Sequence, residues 1–151
     1  SKLGDPNPKS ETSYEHEMLG QGLNSEGALH LGHLRKFFDR IAWWKLKPRQ
    51  DLIDTEGLFA PEANQCYLRV PYCAAAPGEL YVVYYPLGTG KKKKVIHLKP
   101  GFEYCAAWFN PRNRSFEDIQ TPRLDENGVW HVPPTPGPLD WVLVIENIEK
   151  A

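Results

Sequence analysis

Side chains that could perform acid–base or metal chemistry are few in this sequence, and none falls into a catalytic pattern. His30 and His33 are three residues apart, as neighbours on one helix face would be, but no third ligand is spaced to complete a zinc site. His16 is followed by Glu17 without the second histidine that a zinc-protease helix requires. The sequence also lacks a Gly-x-Ser-x-Gly motif. We therefore predict no catalytic residue, no metal site and no cofactor in this chain.

The acidic residues of the sequence do not form a recognisable catalytic pair either. Hydrolysis by a carboxylate pair needs two acidic side chains that face each other on a rigid scaffold and have different pKa values. Asp118, Asp125 and Glu126 all fall in segments with the composition of turns. Nothing in the sequence marks any two of them as such a pair, so we expect this chain not to be an enzyme.

Aromatic side chains are the better candidates for ligand contact. Tyr81 and Tyr85 share one face of an alternating segment, and an open face would offer their rings to sugars or to a proline-rich chain such as collagen. Trp130 lies beside His131 and a proline-rich loop, which makes it the best single tryptophan for the same purpose. The alternative for all three is the interior of a sheet, because strands of this composition commonly bury their rings.

A tryptophan pair marks a change of pattern within the stretch WWKLKP, residues 43–48. Adjacent side chains at the end of a helix point about 100° apart, so Trp43 and Trp44 cannot both face one ligand well. One ring can extend the apolar face of the helix while the other covers a neighbouring domain. We predict that this pair packs between domains, in preference to stacking on a sugar or entering a membrane.

Charge and hydropathy exclude two classes of partner. The net charge is −1, and the four lysines at 91–94 lack the interleaved aromatic residues of a nucleic-acid site. They follow a Gly-Thr-Gly turn, so we expect a solvated hairpin that protects a sheet edge. No apolar run approaches the roughly 18 residues that span a membrane. We predict neither a nucleic-acid nor a membrane partner.

One amphipathic helix precedes the tryptophan pair. Leu31, Leu34, Phe38 and Ile41 recur at helical spacing, and Phe37 widens their stripe. Charged side chains occupy the opposite face, and the proline of WWKLKP prevents the helix from continuing far. A single amphipathic helix cannot bury its stripe alone. It must pack on the segment that follows or on a domain that is missing from this chain.

From residue 48 onward the hydrophobic period drops to two. The candidate strands are 65–70, 80–85, 95–98, 104–109, 129–132 and 141–147, with a short one near 116–120. Six or seven short strands separated by Gly, Pro and Asn turns are typical of a β-sandwich. We predict a mainly β fold, an antiparallel β-sandwich of six to eight strands, immunoglobulin-like or similar, with one N-terminal amphipathic helix. The predicted divisions are a polar arm at 1–23, the helix and junction at 24–47, and the sandwich at 48–151.

Five of these motifs resemble, in order and spacing, a junction found in apiosidase-like glycoside hydrolases. In that family the last helix of a β/α barrel leads into a small C-terminal β-domain, often labelled a collagen-binding domain of a collagenase. The segments that carry the resemblance are LRKFF at 34–38, WWKLKPRQDLI at 43–53, LYVVYYP at 80–86, AWFNPR at 107–112 and DWVLVI at 140–145. The family's catalytic carboxylates lie on barrel strands, which this chain does not contain, so none is transferred.

The resemblance implies a non-catalytic C-terminal accessory domain of a glycoside hydrolase-like protein, which packs against and stabilises the catalytic barrel. The chain would then be a piece of a longer, secreted or periplasmic protein, with that barrel as its partner. The residues expected at the interface are Trp43, Trp44, Leu34 and Phe38. The alternative is a binding module for polysaccharide or a collagen-like protein, which would use the exposed members of the aromatic set Tyr81, Tyr85 and Trp130.

Overall fold

A computed structural model of the chain describes residues 26–54, 70–89 and 93–150. These residues form one α-helix, α1, at Glu26–Arg40. They also form eight strands: β1 (Lys47–Pro48), β2 (Tyr72–Ala76), β3 (Leu80–Tyr85), β4 (Lys94–His97), β5 (Tyr104–Phe109), β6 (Phe116–Ile119), β7 (Val129–Val132) and β8 (Trp141–Asn147). Short 3₁₀ turns occupy Trp43–Lys45, Gln50–Leu52 and Ile148–Lys150.

Two antiparallel sheets make up the β part. The larger sheet has six strands in the order β1-β2-β3-β8-β5-β6, and the smaller pairs β4 with β7. One main core cluster draws its side chains from both sheets, so the sheets pack face to face as an open sandwich. This confirms the predicted fold class: mainly β, antiparallel, with one helix in the described part of the chain.

The main core lies between the sheets and follows the alternation of each strand. In β3, for example, Tyr81, Val83 and Tyr85 point inward, as the period of two requires. The buried members of this cluster are Ile53, Cys73, Ala75, Tyr81, Val83, Tyr85, Ile96, Leu98, Tyr104, Ala106, Trp108, Trp130, Val132, Trp141, Leu143 and Ile145.

A second cluster covers the outer face of the six-stranded sheet, where α1 packs. Phe37 of α1 and Ile41, directly after the helix, are buried there against Leu80, Phe109 and Val144, which belong to three different strands. The central strand β8 is therefore covered on both faces. This explains the run of five apolar residues at 141–145, since a strand buried on two sides has no reason to alternate. The molecule has three layers: helix, large sheet and small sheet.

Tyr81 connects two turns to the core by hydrogen bonds. Its hydroxyl oxygen accepts hydrogen bonds from the backbone N–H groups of Gly78 (2.8 Å) and Lys99 (3.0 Å). The Tyr104 hydroxyl donates to the Lys99 carbonyl at 2.6 Å, and the two tyrosine rings meet edge to face. Because the hydroxyls replace water for buried backbone groups, these tyrosines fix the β2–β3 and β4–β5 connections.

Strand prediction succeeded where β-branched and aromatic residues are dense. The segments 80–85, 104–109, 129–132 and 141–147 are strands with the predicted bounds, and 95–98 and 116–120 differ by one residue at their ends. The candidate at 65–70 lies outside the described residues, apart from residue 70. Strand β2 was not predicted, because Tyr-Cys-Ala-Ala-Ala has little intrinsic β preference and becomes a strand through pairing with β3.

Lys94 departs from the expected solvated hairpin. It is the first residue of β4, is only 2% exposed, and its Nζ lies 5.5 Å from the centre of the Tyr85 ring. Burial disfavours the charged form and lowers the pKa of this lysine to about 8. The prediction was wrong for Lys94 because β4 begins one residue earlier than its apolar pattern indicates.

An ion pair joins two of the motifs that carried the family resemblance. Arg112, in the turn after β5, donates from Nη1 to both the carbonyl oxygen and Oδ1 of Asp140, each at 2.7 Å. Its guanidinium also lies 5.1 Å from the centre of the Trp141 ring. The Asn110 side chain holds the turn by accepting from the backbone N–H of Arg112 at 3.0 Å. The β5–β6 turn is thereby fixed to the start of β8.

Replacing Arg112 by Ala should lower the free energy of unfolding by about 1–2 kcal/mol, a charge-assisted hydrogen-bond value reduced for partial exposure. Asp140→Asn is the matched control. It should cost less, because the Asp140 backbone oxygen still accepts from Arg112. Urea unfolding of the three proteins measures both differences, and equal losses would show that the backbone contact contributes nothing.

Burial of Lys94 should make the free energy of unfolding depend on pH in a defined direction. Its folded-state pKa is about 8 and its ordinary value is 10.5, so between these values the unfolded chain binds a proton that the folded chain lacks. The unfolding free energy of the natural protein should therefore rise with pH across this window relative to that of Lys94→Met. Other titrating groups cancel in the comparison. Parallel stability curves for the two proteins from pH 8 to 10.5 would contradict the buried position of Lys94.

Candidate functional site

The three aromatic residues predicted to contact ligand all lie in the interior. Tyr81 is 0%, Tyr85 2% and Trp130 6% exposed. Tyr85 also meets the Trp108 ring edge to face, with 5.7 Å between centroids. The expected open platform of Tyr81 and Tyr85 is absent because β3 lies inside the six-stranded sheet and turns this face toward the smaller sheet. Of the three, only Trp130 reaches a surface groove.

The exposed tyrosines occupy the opposite face of the sheet. Tyr72 of β2 and Tyr84 of β3 are direct cross-strand partners, and both are exposed on the side where α1 packs. The Tyr84 hydroxyl donates to Oδ2 of Asp140 at 3.3 Å. Burial, followed by the nearby Asp140 carboxylate, raises the pKa of Tyr84. Sequence reasoning missed this pair because the alternation of side chains along β3 does not reveal which face of the strand other elements will cover.

The tryptophan pair lies in solvent at the end of α1. Trp43 is 53% and Trp44 68% exposed, and their rings meet edge to face with 6.4 Å between centroids. The turn that carries them is nevertheless fixed to the sandwich. The Lys45 ammonium pairs with the Glu79 carboxylate at 3.0 Å, and Leu46 packs against the second cluster. The indoles are therefore presented on an anchored turn.

Helix α1 uses a different part of its apolar stripe than the sequence suggested. Phe37 and Ile41 are buried against the sheet and Phe38 is half-buried, whereas Leu34 is 45% exposed. Leu29 is exposed as well. Four of the nine exposed large apolar side chains in the described residues thus belong to α1 and the turn after it.

A histidine anchors the other half of the helix. His33 Nδ1 lies 3.3 Å from the carbonyl oxygen of Pro111, in the β5–β6 turn. This contact and the burial of Phe37 and Ile41 fix α1 along the sheet. The side chain of His30 lies outside the described residues. Within the described ranges, no three His, Cys, Asp or Glu side chains cluster in a way that could hold a metal ion.

A recess of about 240 Å³ opens beside the tryptophan turn, between the end of α1 and the ends of β3 and β8. It is lined by Arg40, Ile41, Ala42, Lys45, Glu79, Leu80, Glu146 and Asn147. Charged groups of both signs thus surround a small apolar floor. Such a rim is typical of protein–protein contact surfaces, which combine an apolar centre with polar edges.

A larger groove of about 650 Å³ lies where the two sheets leave the sandwich open. One side comes from the end of β6 and the segment after it, and the other from β7. Its lining residues are Ile119, Gln120, Thr121, Arg123, Trp130, His131 and Pro133. The groove has the size of a small-molecule site, and its lining residues come from segments that are separate in sequence. No helix in the described part of the chain has the length and apolarity needed to cross a membrane.

Comparison with known proteins places this fold within longer chains. No protein-family model and no curated protein matches the sequence. A solved structure described as a glycoside hydrolase matches 87% of this chain and 27% of its own, with a TM-score of 0.65 and 17% identity. A glycoside hydrolase family 5 structure from Bacteroides vulgatus ATCC 8482 matches 83% of this chain and 25% of its own, with a TM-score of 0.59 and 15% identity.

At such identities the likeness shows the fold alone, and this chain spans about a quarter of the length of either neighbour. The fold expected from the family resemblance is thus one that occurs as a part of glycoside hydrolase chains. The collagen-binding label receives no support from these neighbours.

The buried and the exposed apolar side chains of α1 should respond differently to truncation. Phe37→Ala removes a buried ring that packs on Phe109 at 4.6 Å between centroids, and should cost about 3 kcal/mol or release the helix. Leu34→Ala, which shortens a side chain that is 45% exposed, should change stability by less than about 0.5 kcal/mol. Chemical unfolding of both variants tests this difference. Similar costs for the two changes would mean that α1 does not dock as described.

Proposed function

We propose that this chain is a non-catalytic accessory domain of a glycoside hydrolase-like protein, which packs against and stabilises a preceding catalytic barrel. The observation that carries the proposal is the exposed apolar surface of α1 and its following turn, Leu34, Trp43 and Trp44. Exposed apolar residues concentrated on one helix and the turn after it, in an otherwise well-packed domain, are typical of contact sites for another domain or protein.

The energetics favour a partner at this surface. Burying one large apolar side chain stabilises a protein by about 1.5–3 kcal/mol, so covering two half-exposed indoles and a leucine would contribute several kcal/mol. The partner would meet a rigid surface, because the Lys45–Glu79 pair and the His33 contact hold both ends of this region. A rigid surface loses little conformational entropy on docking.

The proposed occupant is the part of the parent protein that precedes α1. Both structural neighbours are glycoside hydrolases, and roughly three quarters of each chain lies outside the matched part. In this arrangement α1 and the turn after it lie between two domains: Phe37 and Ile41 pack on the sandwich, and the exposed parts of Leu34, Trp43 and Trp44 contact the barrel. Phe38, half-buried, lies at the edge of the contact with the sandwich. The domain would then be exported with its parent enzyme, to the cell exterior or the periplasm.

Catalysis is assigned to the preceding domain and not to this chain. A glycosidase needs two carboxyl groups about 5–10 Å apart across the scissile bond. Three acidic side chains of this domain instead serve structure: Asp140 holds Arg112, Asp51 holds Arg49, and Asp125 closes the turn before β7. Tyr81 and Tyr85, the rings that collagen binding would have used, are interior and cannot contact such a chain.

The double change Trp43→Ala with Trp44→Ala tests the docking role. In the full-length parent protein it should lower the unfolding free energy of the accessory domain by about 2–4 kcal/mol, since two docked indoles are lost. In the 151-residue chain, where both rings are in solvent, the cost should be less than about 0.5 kcal/mol. Thermal and urea unfolding of both lengths measure the contrast.

Leu139→Ala is the matched control for this experiment, because Leu139 is also exposed but belongs to the β7–β8 loop and not to α1 or the tryptophan turn. It should have little effect at either length. Unchanged stability of the full-length double variant would reject the docking proposal. A large loss in the 151-residue chain would show instead that the indoles support the sandwich itself.

A further inference from the structure

The groove at the open side of the sandwich has features that the docking role does not use. It lies between β6, the last strand of the large sheet, and β7 of the small sheet. Its volume of about 650 Å³ is within the range of ligand sites, which is roughly 300–1,000 Å³. It is thus large enough for a short oligomer.

The walls of the groove are held by the core beneath them. Ile119 and Leu124 pack against the main core cluster, and Pro122 is buried. The segment from the end of β6 to Leu124 is therefore fixed at both ends, while Arg123, between two anchored residues, keeps an exposed side chain. On the far side, the Asp125 carboxylate accepts from the backbone N–H of Val129 at 3.0 Å and positions the start of β7. A site fixed in advance binds with a smaller entropy cost.

The lining combines an apolar floor with unpaired polar groups. Ile119, Pro133 and the small exposed part of Trp130 form the apolar part. Such a floor suits the C–H face of a sugar ring. Gln120 and Thr121 add hydrogen-bonding groups, which could meet ring hydroxyls. Within the described ranges, the side chains of these two residues have no hydrogen-bond partner of their own.

Charge makes the groove selective. Arg123 and His131 line it, and no acidic residue does. Arg123 has no ion-pair partner within the described part of the chain, whereas His131 Nε2 faces the Asp125 carboxylate at 3.9 Å on the rim. An unpaired guanidinium offers a planar pair of donors that matches a carboxylate. A ligand with a sugar ring and a carboxylate would match both the apolar floor of the groove and the positive charge of Arg123.

We propose that this groove binds an acidic oligosaccharide, one built from uronic acid units, with the Arg123 guanidinium on a sugar carboxylate and the ring against Ile119 and Pro133. The groove faces the small sheet, whereas α1 and its exposed indoles lie on the outer face of the large sheet. Binding is therefore independent of the barrel-docking role, and one proposal can fail while the other holds.

The test titrates the 151-residue chain with a galacturonic acid tetramer, its methyl-esterified form and a neutral cellulose tetramer, by isothermal calorimetry and by NMR. The expected result is saturable binding of the acidic tetramer in the millimolar range or tighter, with weaker binding of the ester and the neutral chain. Arg123→Gln should reduce that affinity about ten-fold or more, the value of a lost charge-assisted contact. The indole N–H signal of Trp130, identified by its loss in Trp130→Phe, should shift during the titration.

Arg35→Gln is the matched control, since it removes the same charge from an exposed position of α1, where Arg35 pairs with the exposed Asp39. It should bind the acidic tetramer as the natural chain does. Equal weakening by Arg35→Gln and Arg123→Gln would overturn the proposal by showing general charge attraction. Absence of saturable binding, equal affinity for acidic and neutral tetramers, or a shift of other indoles without that of Trp130 would overturn it as well.

Discussion

The whole molecule depends on the fact that its central sheet is apolar on both faces. In β8, side chains on one face fill the space between the two sheets, and those on the other face, such as Val142 and Val144, would meet water without a further layer. Each uncovered large apolar side chain would cost on the order of 1.5–3 kcal/mol of lost burial. The sheet therefore needs the small sheet on one side and a helix on the other, and α1 is a structural part of the domain.

This requirement explains why the helix keeps an apolar surface in solvent. The outer face of the sheet is satisfied by Phe37 and Ile41, with Phe38 and Leu46 at its margins. A helix that served this sheet alone would need only one stripe, roughly 100° wide. Leu34 lies in that stripe but is 45% exposed, and the two indoles lie in the turn after the helix, so the sheet leaves apolar surface uncovered at all three. Such uncovered apolar surface fits the proposed position beside a second domain.

Sequence reasoning predicted the positions of the strands well, but it predicted less well which face of each strand is buried. Alternation located β3, β5, β7 and β8, because each is dense in residues that favour strands. It could not decide which face of β3 would be covered, since both Tyr81 and Tyr84 belong to plausible apolar faces. That choice depends on the neighbours of β3 in the sheet, and β2 gives little local signal. Lys94 was misjudged for the same reason, because its burial follows from the pairing of β4 with β7.

The groove could not be found from sequence because its two walls meet only through the topology. Residues 119–123 and 130–133 flank the turn that Asp125 closes, and neither segment contains a binding motif. The two surfaces are also far apart: β3, near the tryptophan turn, is three strand positions from β6, or about 14 Å at the usual strand spacing. They lie on opposite sides of the large sheet as well. In the proposed arrangement, one face would hold the catalytic partner and the open side would stay free for a saccharide chain, because neither surface uses a side chain that the other needs.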